Sequence, residues 1–344
     1  SGSAGGMVSR RNPDQYAAKG LTLEILPCEE AGSLRLSGKG GTVDGKILGI
    51  YDNAVEGMVL VLRMERSGAS EWYNGYAPTD NLNPQAVREF IHMTHEQYKQ
   101  RFGAEFGKRI KGFFTDEPNC CDFFSIFTKG RPWLVWTEHF PQVFEEKRGY
   151  SPMEYLPYLF IEGEQSSRIR HDYWRTVTEL FSESYMKQLY QWCDENRLSM
   201  TGHVLYENDL GYNIRVCGAA MPLYRFMHCP GIDILGEQTQ EYLTVKQCTS
   251  VANQYGRPMV LSETYGCTGW EFTFEGQKWL GDWQFVMGVT RRCQHLTQYS
   301  IAGCRKRDYP PVFNYQTTWW EYNHLMETYF ARLSACVTTG EVVR

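Results

Sequence analysis

The sequence predicts an α/β fold built as a (β/α)8 TIM barrel, and three observations point to it. Short apolar runs alternate with stretches whose apolar residues recur at helical spacing, the pattern of parallel strands joined by helices. Acids sit at or just beyond the ends of at least three of those runs, at Glu117, Glu207 and Glu263. An open doubly wound sheet uses only its switch-point crevice, whereas a barrel brings all its strand ends to one pocket, so shared strand-end acids favour the barrel. Six units can be counted, so the barrel expected is incomplete, with its first one or two strands missing. Residues 20–57 read differently, as a small β-rich insertion near the N-terminus.

In that insertion Leu34-Arg35-Leu36, Thr42-Val43 and Lys46 to Ile50 are short β-like runs split by glycines, with Asp44-Gly45 as a hairpin signal. Met58 to Leu62 is an apolar run long enough for a buried strand. Asn83 then reads as an N-cap with Pro84 at the first helical position, and Val87, Phe90, Ile91, Thr94, Tyr98 and Phe102 follow at helical spacing. Ile110 to Thr115 is the next strand, ending in Asp116-Glu117-Pro118-Asn119. A long Pro- and aromatic-rich loop leads to a helix from about His171 through Trp192. Strands at Leu198 to Val204 and Ile232 to Leu235 follow, then a helix through Val245 and Tyr255 closed by Gly256. Met259 to Glu263 is the fifth strand, with a helix over Trp279 to Cys293 behind it. A sixth strand is expected near Leu296 to Ile301 and a last helix from Trp319 to Thr338, closed by Gly340.

Composition excludes several functions. Among 344 residues, 35 Lys plus Arg stand against 40 Asp plus Glu, a net charge of −5, which argues against a general nucleic-acid binder. No apolar run approaches the length of a membrane span. The 11 cysteines are odd in number and include no CxxC pair, which predicts reduced thiols and a cytoplasmic localisation. The chain opens Ser1 to Gly6 with its first methionine at Met7, so a signal peptide upstream would not be visible.

Several motifs fail on inspection. Gly40 to Lys46 approaches a phosphate-binding loop, but Ile47 stands where Ser or Thr is needed and a strand follows instead of a helix. No nucleophile elbow and no HExxH occurs, and no two histidines are four residues apart, which argues against a His-based zinc site.

The stronger signal is the carboxylate pair Glu117 and Glu263, each at the end of a strand. Glycoside hydrolysis needs two such groups across a pocket, one protonated to donate to the leaving oxygen and one ionised. The alternative is that both are ordinary strand-end acids that cap helices or pair with arginine. His203, in the barrel mouth, would bind a substrate hydroxyl or else be a satisfied core histidine. Trp136, Trp270, Trp279 and Trp283 could stack on a sugar face. Trp279 and Trp283 share a helix face and suit packing, so Trp270, in a Gly-rich loop after Glu263, is preferred.

The Asp-Glu-Pro-Asn turn resembles the Asn-Glu-Pro turn of the large clan of barrel glycosidases. More specifically, residues 110–119, 201–209, 230–235 and 261–270, with the closing helix near Leu333, resemble α-L-rhamnosidase-like glycoside hydrolases of family 106. The resemblance implies a (β/α)8 catalytic domain followed by β-sandwich domains, and inverting hydrolysis of a glycoside or oligosaccharide. By position, Glu117 is implied as general acid and Glu263 as the base that activates water. Asp116, Asn119, His203, Glu207, Tyr265 and Trp270 are the expected substrate-binding residues. A calcium ion is implied, with Glu207 and Glu237 as its candidate ligands; calcium takes oxygen donors. Residues 1–57 would be a partial barrel segment with the insertion, and 58–344 barrel units three to eight. The chain stops at Arg344 where the family continues, so a fragment, poorly stable and weakly active alone, is expected.

Alternatives stay open: a retaining β-glycosidase on the same barrel, or a non-catalytic carbohydrate-binding barrel. A structural protein would instead show a large exposed apolar patch and no aromatic pocket. Carboxyl separation discriminates the enzymes, about 5–5.5 Å for retention and about 6.5–9.5 Å for inversion.

Overall fold

The structure is a computed structural model that describes residues 2–30, 45–53, 55–120 and 133–339. The runs at Leu34 to Leu36 and Thr42-Val43, with Asp44 of the hairpin signal and Gly340, lie outside the described residues. The chain divides into two compact units, Ser1–Phe106 with Pro118–Trp192 and Leu210–Ala219, and Gly107–Glu117 with Cys193–Asp209 and Ala220–Arg344.

The first unit is built on an antiparallel sheet. β1 (Lys19–Pro27), β2 (Gly45–Asp52), β3 (Met58–Arg66) and β5 (Trp133–Trp136) stand in the order β2-β3-β1-β5, while β4 (Gly112–Thr115) belongs to the second unit. β1 pairs along its length with β3, Lys19 opposite Arg66 and Pro27 opposite Met58. β5 flanks it, and a Cβ on Gly20 would collide with the Trp133 ring, so the glycine lets that indole lie flat on the strand. Arg63 Nε meets Glu24 Oε2 at 2.9 Å from one strand to the next. The helix Pro84–Met93 begins as its sequence requires, with Asn83 accepting from the Gln85 amide at 2.9 Å and Pro84 at the first position. The long helix Ser166–Phe181 continues through one π turn, Ser182–Met186, and buries Val177, Phe181 and Tyr185.

The second unit holds an open parallel sheet. β4, β6 (Ser199–Gly202), β7 (Cys229–Ile234), β8 (Leu261–Thr264) and β9 (Arg291–Gln294) follow one another in that order. The helices Tyr242–Gln254 and Phe274–Met287 link β7 to β8 and β8 to β9. Phe274–Met287 starts where Thr273 accepts from the Gly276 amide and stops at Gly288, whose φ of 115° only glycine adopts easily.

These two sheets correct the predicted fold class. The described residues form a mixed α/β fold with five parallel strands, not a (β/α)8 TIM barrel of eight. Met58 to Leu62, read as a parallel barrel strand, is instead an inner strand of the antiparallel sheet. An apolar run reports that both faces are buried and carries no record of its neighbours' direction. The strand expected at Leu296 to Ile301 is Arg291–Gln294, four residues with no apolar signature because they lie at a sheet edge. The stretch read as one long loop contains β5 and the helix Phe140–Arg148. Among the described residues no helix is long and apolar enough to cross a membrane.

Candidate active site

The chemistry of the second unit collects at the C-terminal ends of its parallel strands. Asp116 and Glu117 follow β4, and the His203 amide, just past β6, donates to the Thr115 carbonyl at 3.1 Å. Asp233 and Glu263 stand opposite one another in the β7–β8 register, which puts both side chains on one face. His295 follows β9, its amide donating to the Thr264 carbonyl at 2.8 Å. The close approach of β4 and β6 along their length depends on glycines: a Cβ on Gly112 would strike the Ser199 carbonyl, and one on Gly202 the Thr115 carbonyl.

His203 sits at the centre, 1% exposed, with Nε2 3.0 Å from Glu263 Oε2 and 3.4 Å from Asp116 Oδ1. His295 Nε2 approaches the other oxygen of Glu263 at 4.0 Å. Beside them Glu207, also buried, accepts from the Asp233 amide at 3.3 Å, and its own carbonyl accepts from Gln247 Nε2. Several residues in the segments that follow these strands hold strained backbone: Glu117 (φ 46°), Tyr206 (59°), Tyr265 (73°), Cys267 (62°) and Tyr309 (49°). Non-glycine residues in this region cost roughly 1–3 kcal/mol each and concentrate at functional sites.

The carboxyls are pushed in opposite directions. Desolvation raises Glu117, helped by the charges of Asp116 and Glu263 against the pull of His203. Desolvation also acts to raise Glu263, but the hydrogen bond and charge of His203, with His295 behind, carry it below its ordinary value. Burial opposes charge on His203, yet the Glu263 hydrogen bond and the surrounding carboxylates raise it to about 9. Burial lifts Glu207 to about 8 and Asp233 to about 7, both against the pull of His203. A carboxyl shifted towards its ionised form and one shifted towards its protonated form, beside a histidine raised above its ordinary value, are groups that can take a proton from water and give one to a leaving oxygen.

The structure brings Asp116, Glu117, His203, Glu207 and Glu263 to this end of the sheet. Tyr265 does not line it: fully buried, its hydroxyl donates to the Gln277 carbonyl at 2.8 Å and accepts from Arg292 Nη1 at 3.1 Å. Trp270 lies on the rim, 38% exposed, its Nε1 donating to the Lys306 carbonyl at 2.7 Å. Trp136 is core in the first unit. Asn119 also belongs to that unit, where Asn81 Nδ2 donates to its carbonyl at 2.7 Å. Two residues went unread in the sequence, Asp233 and His295. An acid between Ile232 and Ile234 in a strand was the available signal for the first; the second was hidden by the misplaced last strand.

The implied calcium fits these residues poorly. Among the described residues one group of three could hold a metal ion, Asp116, His203 and Glu263, and neither Glu207 nor Glu237 belongs to it. Its central donor is an imidazole nitrogen already hydrogen-bonded to Glu263, whereas calcium takes oxygen. Glu237 is exposed and Glu207 is taken up by the Asp233 amide.

A parallel sheet with opposed carboxyls at its C-terminal ends is the arrangement of a carboxylate acid–base site. The profile of the α-L-rhamnosidase family, glycoside hydrolase family 106, matches residues 57–344, and the chain belongs to that family. This bears out the resemblance carried by the strand-end motifs. A protein of Formosa agariphila (strain DSM 15362 / KCTC 12365 / LMG 23005 / KMM 3901 / M-2Alg 35-1), described as "Putative beta-glucuronidase", is 27% identical over 223 residues, 60% of this chain and 18% of that protein. The structure of a rhamnosidase from Novosphingobium sp. PP1Y superposes with a TM-score of 0.65 at 23% identity, over 84% of this chain and 28% of that one. The chain thus spans less than a third of the length of either relative.

Proposed function

We propose that this chain carries the acid–base site of a glycoside hydrolase that releases terminal α-L-rhamnose with inversion. Glu117 is the general acid and Glu263 the base that activates water. The observation that supports this most is the opposed pair itself: Glu263 held ionised by His203 at 3.0 Å, and Glu117 held towards its protonated form at the same end of the sheet. His203 positions the base, and Asp116, at 3.4 Å from the same nitrogen, steadies the imidazolium. Trp270 offers a ring face at the rim for sugar stacking.

The test is turnover of an aryl α-L-rhamnoside, with the anomer of the released sugar followed by NMR. Release of the inverted anomer is expected, and Glu117→Gln and Glu263→Gln should each lose about 10³-fold in rate with an unchanged melting temperature. Near-parental turnover in both variants would reject the assignment. An aryl β-glucuronide belongs in the same panel because the relative from Formosa agariphila is described as a β-glucuronidase. The carboxyl-rich core disfavours a uronate there, so the rhamnoside is expected to be preferred.

A further inference from the structure

The core of the site and its rim carry opposite charge. Around the His203 imidazole stand Asp116, Glu117, Asp233 and Glu263, so an anionic substituent on the sugar being cut would be repelled. The segment after β9 is different. Arg305, Lys306 and Arg307 are consecutive and exposed, and no side-chain hydrogen bond or ion pair engages any of the three among the described residues. They outnumber the nearby carboxylates Asp308 and Glu271.

This segment is fastened to the rim. Trp270 Nε1 donates to the Lys306 carbonyl at 2.7 Å, the Gly269 amide to the Pro310 carbonyl at 3.1 Å, and Gln298 Nε2 to the Asp308 carbonyl at 3.1 Å. Tyr309, with φ of 49°, sets its ring edge-on to His295 with centroids 6.5 Å apart. His295 in turn stands 4.0 Å from Glu263. The basic run therefore ends two residues before a ring that adjoins the neighbour of the base.

We propose that Arg305, Lys306 and Arg307 form a subsite for an anionic group on the glycan that carries the terminal sugar. The neutral sugar enters the carboxyl-lined core, and a carboxylate or sulfate on the adjoining unit meets the basic rim. Guanidinium groups bind such oxyanions through paired N–H donors. Each exposed pair is weak alone, so the effect depends on the three together. The nature of the sugar rests on the glycosidase reading above; the anionic group rests on the charge pattern.

The test is equilibrium affinity, measured by calorimetry in a Glu117→Gln background so that no ligand is consumed. Three disaccharides carry terminal α-L-rhamnose on glucuronic acid, on a sulfated glucose and on glucose. The anionic ligands are expected to bind about tenfold tighter than the neutral one. That ratio should fall to about one in Arg305→Gln/Lys306→Gln/Arg307→Gln, persist in Arg305→Lys/Arg307→Lys, and shrink as salt is raised. The anion with the larger ratio identifies the source. Equal affinities before the charge substitutions, or a ratio the glutamine variant leaves intact, overturn the proposal. Aryl rhamnoside turnover by the parent is measured alongside: its absence would reject the glycosidase reading, while a charge-dependent ratio would still uphold the basic subsite.

Discussion

Glu117 and Glu263 are the same side chain in different surroundings, and the difference is a histidine. His203 donates directly to Glu263 and reaches Glu117 only through space. In the proposed mechanism Glu263 must be ionised and Glu117 protonated. Activity should therefore rise with pH as Glu263 ionises below the ordinary 4.5, and fall as Glu117 loses its proton above it, with kcat/KM greatest between the two. Replacing His203 by Asn removes a hydrogen bond that lowers Glu263 and a positive charge that lowers both groups. Both limbs of the kcat/KM profile should then move to higher pH, the acid limb further; an acid limb that stays in place would show that His203 does not hold the base. Both glutamates were legible in the sequence because acids closing apolar runs stand out. Asp233 was not, because a single acid inside Pro230 to Leu235 carries no mark of which face it takes until β8 pairs beside it. Tyr265 misled in the other direction: adjacency to Glu263 in the chain suggested the pocket, but its left-handed backbone turns the ring into the core.

At the scale of the element, local signals were dependable and pairing signals were not. The Asn83-Pro84 start of Pro84–Met93 and the left-handed Gly256 beyond Tyr242–Gln254 are set within one turn of chain. Asn83→Ala should cost about 1 kcal/mol, read as a lowered denaturation midpoint with unchanged slope. Close strand approach is the more demanding device. Gly202 has φ of 133° and no room for a Cβ against the Thr115 backbone. Gly202→Ala should cost about 2–4 kcal/mol and displace His203, so thermal melting and rhamnoside turnover should fall together. A variant with parental melting and turnover would show that β4 and β6 tolerate separation. Arg291–Gln294 escaped the sequence because an exposed edge strand needs no apolar residues, and the preceding helix stripe ran on past its true end at Gly288.

At the scale of the whole molecule, buried ionisable groups set a pH dependence of stability. Burial holds Asp80 at about 6, Asp233 at about 7 and Glu207 at about 8, all above their ordinary values, and the carboxylates raise His203 to about 9 against its burial. A group raised by folding stabilises fully below its unfolded value and loses that contribution as pH climbs through its folded one. The contributions of these four are therefore lost in succession between about pH 4 and 9. His95, lowered to about 4 by burial, acts oppositely and is lost as pH falls below 6.5. The melting temperature should decline from about pH 6 to pH 9, and Glu207→Gln should flatten the decline above neutrality; a rising melting temperature over that range would contradict the burial of these groups. The sequence by itself determined the alternation of strands and helices in the second unit, the helix starts, the two strand-end glutamates and the family. Each depends on residues within a few positions of one another, or on short motifs in fixed order. Only the tertiary structure decided that Met58–Arg66 runs antiparallel beside Lys19–Pro27, that the described parallel strands are five, and that Asp233 and His295 join the site. Strand direction and partner are settled by hydrogen bonds and packing between segments distant in the chain, and hydrophobic periodicity is the same whichever way the neighbour runs.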